Sequence, residues 1–449
     1  MLQTPTAGPM QPRRVVVMGA AGRDFHNFNV LYRGRADFWV VAFTAAQIPN
    51  ITGRVYPTAL AGPEYPQGIP IVPEAELSDL VRRERVDLVL LSYSDLSYAE
   101  VMHKASTALA AGAAFELAGP RETMLRSTKP VVSVCAVRTG AGKSPLTRFV
   151  ARYLRERGRN VAVVRHPMPY GDLAAQAVQR FATAADLDRA NCTIEEREEY
   201  EPHLRDGTVV FAGVDYEKIL RLAEKEADVI LWDGGNNDFP FYVSDLQFVV
   251  ADPRRAGHEL AYYPGEVNFR MADVIVVSKT DSARAADVAY VEANAARVNP
   301  KALVFRGALD VTGENPERIR GHRVLVVEDG PTVTHGGLDT GAGMLLALRY
   351  GGTIVDARKT AVGSIARVYE EYPHLKLILP AMGYGDAQLK ELEQTIRRSD
   401  AEVVVDGSPV DLAHVVHVEQ PILDVVYRYR DIDGKVVGLL ERFLAKTKA

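Results

Sequence analysis

The run from Val131 to Ser144, VVSVCAVRTGAGKS, limits what this chain can fold into more than any other stretch. An apolar strand ends there in a glycine-bearing loop that closes on Gly-Lys-Ser, which calls for a helix starting at the loop. Glycines let backbone N–H groups turn inward around phosphate oxygens, and the helix N-terminus adds its own amides. Thr139, Gly140, Ala141, Gly142, Lys143 and Ser144 are therefore the expected nucleotide-binding residues. Lys143 would neutralise the β and γ phosphates, and the Ser144 hydroxyl would hold Mg²⁺.

At 449 residues the chain exceeds one ordinary core, and about 150 residues per domain suggests three. Hydrophobic residues at 47% and charged residues at 25% match a globular protein able to bury large cores. A net charge of −5 gives no electrostatic reason to bind nucleic acid or an anionic membrane, so small anions are the expected partners. Cys135 and Cys192 cannot make a disulfide framework or a metal-spaced pair, which fits a reducing cytoplasm. No apolar run approaches the roughly 18 residues of a membrane span.

Predicted strands at 14–18, 38–43, 69–72 and 86–91 alternate with helical stretches, which implies βαβ units and a parallel sheet. The expected organisation is a flexible tail over 1–12, a Rossmann-like domain over 13–128, a P-loop NTPase domain with a mainly parallel sheet over 129–330, and a smaller α/β region over 331–449. The boundary near 330 is soft, since the loop there could join two halves of one sheet. The Gly19 to Gly22 turn lacks the three-glycine dinucleotide spacing, and a tight strand-to-helix turn explains it equally well. Arg23, Asp24, His26 and Asn27 follow it as a polar group that would bind a small anion or cap a helix. The charged segment from Thr193 to Arg205 reads as a solvated helix face.

A nucleotide site of this kind needs an acidic residue at the tip of a neighbouring strand to hold the metal. Asp233, after Val229-Ile230-Leu231-Trp232 and before a glycine turn, fits. Ser278-Lys279-Thr280-Asp281 resembles the Asn-Lys-x-Asp base-reading motif with serine in place of asparagine, so Lys279 and Asp281 are candidate nucleotide contacts and the base stays open between adenine and guanine. Arg165 and His166 at one strand end, with Arg254 and Arg255 after another, are candidate binders of an anionic substrate. The stretch Glu328 to Gly337 gathers two carboxylates, two hydroxyls and His335, the last placed as a general acid or phosphate-binding donor.

These motifs resemble those of P-loop proteins catalogued as predicted GTPases and labelled cyclic 2,3-diphosphoglycerate synthetases. The resemblance spans most of the chain and rests on Gly19 to His26, Arg138 to Ser144, Asp233 to Asn237, Glu328 to Gly336 and Ala381 to Gly385. It implies ATP-dependent closure of an intramolecular phosphoanhydride in 2,3-diphosphoglycerate, with Lys143 on ATP, Ser144 and Asp233 on Mg²⁺, and Arg165, Arg254 and Arg255 on the substrate phosphates. The chain departs from the common loop pattern at Val137, where the first glycine belongs. Arg138 then falls where the MinD-like class carries an extra lysine, which by analogy places it across a dimer interface and implies a homo-oligomer. The alternative is a GTP-dependent switch or metallochaperone of the same class, although no Cys/His cluster has metal-ligand spacing.

Overall fold

The computed structural model describes residues 11–46, 53–166, 171–235, 238–313, 315–334, 337–382 and 386–447. It is a mixed α/β protein with mainly parallel sheets. The N-terminal sheet has six strands in the order Val55–Tyr56, Ile69–Pro73, Phe38–Ala45, Arg13–Met18, Leu88–Leu91 and Ala114–Leu117, parallel apart from its first pair.

A second sheet begins with Gln179–Phe181, Val209–Ala212, Val161–Arg165, Val229–Asp233, Val131–Ala136, Leu246–Ala251 and Val274–Val277. The last five of these strands are wholly buried, which is why they read as unbroken apolar runs with no alternation. Cys135 lies within one of them, and burial pushes its thiol pKa up, out of the reactive range.

The sheet does not stop at residue 330. It continues through Leu303–Gly313, Ile422–Asp431, Val403–Gly407, Arg323–Asp329 and Thr353–Ile354. Leu303–Gly313 is the corner. Its residues 303–306 pair in parallel with Val274–Val277, and from Gly307 onward it pairs antiparallel with Ile422–Asp431. That antiparallel ribbon reverses the strand direction of everything beyond it.

In a flat sheet, six strand spacings would put Arg323–Asp329 roughly 29 Å from Val131–Ala136. Instead, the Thr332 methyl lies 3.1 Å from where a Cβ on Gly140 would stand. The ribbon therefore bends the later strands back over the phosphate loop. The described residues between 315 and 421 form a lobe carried on this ribbon, and the final helix Lys435–Lys446 returns Val436, Leu440, Phe443 and Leu444 to the core around Val132, Leu146 and Val150. Among the described residues no helix is long and apolar enough to cross a membrane.

Gly307 marks the change of pairing, and a Cβ there would lie 2.4 Å from a ring carbon of the buried Tyr429. Overpacking of this kind typically costs about 1–3 kcal/mol. Gly307→Ala is expected to lower unfolding stability by that amount in urea titration.

Candidate active site

The strand Val131–Ala136 delivers the chain into the phosphate loop, and the helix Lys143–Glu156 leaves it. Gly140 and Gly142 adopt φ of 74° and 105°, which side-chain-bearing residues avoid, so the glycines of the motif are required where they stand. Ser278 Oγ donates to the Ala141 carbonyl at 2.5 Å. Lys279 Nζ donates to the Gly140 carbonyl at 2.6 Å and pairs with Asp252 at 2.6 Å. Burial lowers the Lys279 pKa to about 8. The segment that resembles a base-reading motif thus braces the loop, while Asp281 stands exposed at the cavity wall.

Arg138 is engaged within its own chain. Its Nε lies 2.6 Å from Asp95 of the N-terminal domain, and its guanidinium sits 3.7 Å over the Tyr262 ring. Thr139 Oγ1 donates to the same Asp95 at 2.9 Å, and Arg255 donates to the Thr139 carbonyl at 2.6 Å. Arg254 and Arg255 both face Asp252, and Arg254 also lines the cavity.

Asp233 is the electrostatic centre. It has no solvent exposure and collects Lys143 Nζ at 2.5 Å, Arg165 at 2.9 Å, the Thr147 hydroxyl at 3.0 Å and His203 Nε2 at 2.9 Å. Burial alone would raise its pKa, but the charges of Arg165 and Lys143 and the His203 bond outweigh that and hold it well below the ordinary value. Lys143 moves the other way, to about 8, through burial and the charge of Arg165. Burial keeps His203 neutral, so its Nε2 carries the proton that it donates to Asp233.

His203 lies on the helix Ile194–Arg205, which the sequence suggests is solvated; the structure corrects that reading. Glu195, Glu196, Arg197, Glu198, Glu201 and His203 are all buried. The helix is wedged between the phosphate-loop sheet and the lobe. Ile194 packs in the lobe's core with Leu325 and Val327, Glu201 accepts from the Asp411 amide at 2.8 Å, and Tyr200 stacks on Phe181. Arg165 pairs with Glu199 at this helix as well as with Asp233. The Thr193–Glu196 capping box is legible in the sequence, but the burial of charge here depends on partners far along the chain.

Glu328 and Asp329 stand at the carboxyl end of the lobe strand Arg323–Asp329, facing this helix across one cavity of about 810 Å³. The same cavity takes in Lys143, Ser144, Arg165, His166, Glu195 and Glu198. Glu328 accepts from the Met344 amide at 2.7 Å, and Gly341 and Gly407 crowd its carboxylate, leaving no room for a Cβ. Burial raises its pKa to about 8. Asp329 accepts from the Thr332 hydroxyl at 2.7 Å. His335, and also Asn236, Asn237, Gly336, Gly383, Tyr384 and Gly385, lie outside the described residues.

The polar group after the first glycine turn is packed into the seam between the N-terminal and phosphate-loop domains. His26 is buried: it stacks on Phe241 at 4.1 Å and meets the Thr123 carbonyl at 2.6 Å. Arg23 lies 3.4 Å over Phe239 and 3.7 Å from Asp238. Asn27 donates to Ser92, and Asp24 accepts from the Ala21 and Phe25 amides. His166 fills the space beside Gly22, which only a glycine leaves open.

A glycine loop with its lysine and serine at a helix start, beside a buried strand-end carboxylate, defines an enzyme with the P-loop NTPase fold. No family model matches the chain. It is 58% identical over 433 residues, 96% of this chain and 97% of the relative, to the arginine synthetase ArcE of Thermococcus kodakarensis. The chain belongs to the family of that synthetase. The relative is not named as a cyclic 2,3-diphosphoglycerate synthetase, the label that the sequence motifs resemble.

Among solved structures, LpxK from Aquifex aeolicus in complex with ATP is similar at a TM-score of 0.44 and 13% identity, over 71% of this chain and 90% of that one. The hydrogenase maturation factor HypB from Archaeoglobus fulgidus gives 0.25 and 14%, over 40% and 81%. The MinD cell division protein from Aquifex aeolicus gives 0.23 and 13%, over 39% and 81%.

Glu328 keeps its proton in the folded state up to about pH 8 but loses it near its ordinary 4.5 in the unfolded chain. Its contribution is therefore fully present below pH 4.5 and is lost as pH rises through 8. Melting temperature should fall across that window, and Glu328→Gln, which still accepts from Met344, should make the fall shallower in thermal scans at pH 5 to 8.5.

Proposed function

We propose that this chain catalyses ATP-dependent formation of arginine, by phosphoryl activation of a ureido oxygen and its replacement by nitrogen. Family membership supports this reading. The observation that carries it is the opening of Lys143 and Ser144 into the same cavity as the carboxylates of the lobe and of the helix Ile194–Arg205.

The chemistry follows from the product. A phosphate loop transfers a phosphoryl group to an oxygen, and the guanidino carbon of arginine bears none. That oxygen must therefore leave with the phosphoryl group while a nitrogen takes its place. The precursor is then the ureido amino acid, and ammonia is the simplest nitrogen source. The ureido oxygen attacks the γ phosphorus and ADP leaves. Ammonia adds to the ureido carbon, the C–O bond breaks, and inorganic phosphate departs with one of the ammonia protons.

In this scheme Lys143 and the amides of Gly140 to Lys143 hold the nucleotide phosphates, and Lys143 exchanges Asp233 for them. Ser144 and the ionised Asp233 would hold Mg²⁺, a hydroxyl and a carboxylate being the oxygen donors that ion prefers. When bound, the ion supplies neutralisation of phosphate charge. Arg138 and Arg254 flank the phosphates, Lys279 braces the loop, and Asp281 lies towards the base. Arg165, His166 and Arg255 position these groups, and His335 remains a candidate proton donor. Positioning and charge supply most of the catalysis.

Closure of a phosphoanhydride in 2,3-diphosphoglycerate would instead need cations available to the substrate phosphates. Arg165 is engaged by Asp233 and Glu199, and Arg254 and Arg255 by Asp252, so the arginine-forming reading has more support.

The test is product analysis with ATP, L-citrulline and ammonium, alongside a 2,3-diphosphoglycerate arm and a GTP arm. Arginine and ADP are expected in equal amounts, and Lys143→Ala should lower turnover by about 100-fold or more. Cyclisation of 2,3-diphosphoglycerate without arginine formation would sink the proposal, as would normal turnover by the lysine variant.

A further inference from the structure

One end of the cavity is lined by carboxylates. Glu195 and Glu198 reach it from the helix Ile194–Arg205, and Glu328 and Asp329 from the lobe strand. Glu198 is 7% exposed, accepts from the Gly330 amide, and leaves its Oε1 without a hydrogen-bond partner among the described residues while lining the cavity. A buried carboxylate oxygen left unpaired is unfavourable, and a ligand that donates to it would offset that cost.

The arginines nearby do not supply that partner. Arg148 is turned to the Tyr427 carbonyl at 3.1 Å, and Arg165 to Asp233 and Glu199.

We propose that the recess lined by Glu195, Glu198, Glu328 and Asp329 is the binding site for a nitrogen cation, ammonium on the way in and the guanidinium of arginine on the way out. Among the described residues no three carboxylates, histidines or cysteines converge on one point as metal ligands do. Carboxylates spread around a recess suit an ion whose N–H groups diverge, and the planar guanidinium offers five donors in fixed directions.

Burial and the charges of Asp329, Glu195 and Asp406 push the Glu198 pKa well above its ordinary value in the free protein. An arriving cation would reverse that, so binding should release protons. The same carboxylate can then take the proton that converts ammonium to the nucleophilic ammonia. This assignment rests on the arginine-forming reading for the identity of its ligands, but not for its charge preference.

The experiment is titration calorimetry on the full chain without nucleotide, using arginine, its neutral ureido analogue L-citrulline, and ammonium chloride against potassium chloride. Arginine should bind at least tenfold more tightly than citrulline and release protons, as read from buffers of different ionisation enthalpy. Glu198→Gln should remove most of that preference while leaving ADP affinity within twofold; Glu195→Gln serves as a second variant, with circular dichroism checking the fold. Equal binding of arginine and citrulline by the wild type would overturn the proposal, and so would an arginine preference untouched in both variants.

The ammonium arm separates the two sources, because an effect of ammonium over potassium on citrulline affinity marks the substrate cation. Failures are distinguishable. Arginine synthesis with unaltered ammonium KM in Glu198→Gln would discard the recess and keep the reaction, whereas Glu198-dependent cation binding without arginine synthesis would do the reverse.

Discussion

A single buried carboxylate, Asp233, holds the site together. Removing a carboxylate from water is costly unless strong bonds surround it, and here a lysine, an arginine, a histidine and a threonine do so. The partners come from three parts of the chain: Lys143 and Thr147 from the helix after the phosphate loop, Arg165 from the adjacent strand, and His203 from the helix that reaches the lobe. Arg165 extends the network to Glu199, and so links Asp233 to the helix that lines the acidic recess. The lysine that neutralises it is also the group a nucleotide would claim, which makes the resting arrangement an ion pair ready to be exchanged.

The phosphate loop is clasped from two sides. Asp95 of the N-terminal domain, itself at a φ of 60°, holds Arg138 and Thr139. Thr332 and Leu338 of the lobe pack against Gly140. The N-terminal domain thus serves as a wall of the phosphate loop, and its turn residues are consumed in the seam: Gly22 admits His166, and Arg23 covers Phe239.

Legibility in the sequence followed the reach of the interactions. The phosphate loop and Asp233 could be read because their signals are local: glycines where φ must be positive, an apolar strand before them, a carboxylate at its tip. The parallel strands were equally plain, since burial on both faces leaves an uninterrupted apolar run. The helix Ile194–Arg205 looks solvated in sequence because the partners of His203 and Glu201, Asp233 and Asp411, lie far along the chain. His203 therefore went unnoticed. The direction of Arg165 was hidden for the same reason, as a strand-end arginine looks alike whether it meets a substrate phosphate or a carboxylate of its own chain. The corner at Gly307 was invisible because one continuous strand changes partners within it.

The lobe enters and leaves through neighbouring strands, and Gly313 and Val425 face each other across the ladder. A segment whose two ends are adjacent can be replaced without disturbing the host fold. The phosphate loop, Asp233 and the returning helix Lys435–Lys446 all belong to the host, while Glu328 and Asp329 belong to the insert. Descent with modification can then act on the two separately: a lineage can keep its phosphate loop and exchange the lobe that faces it.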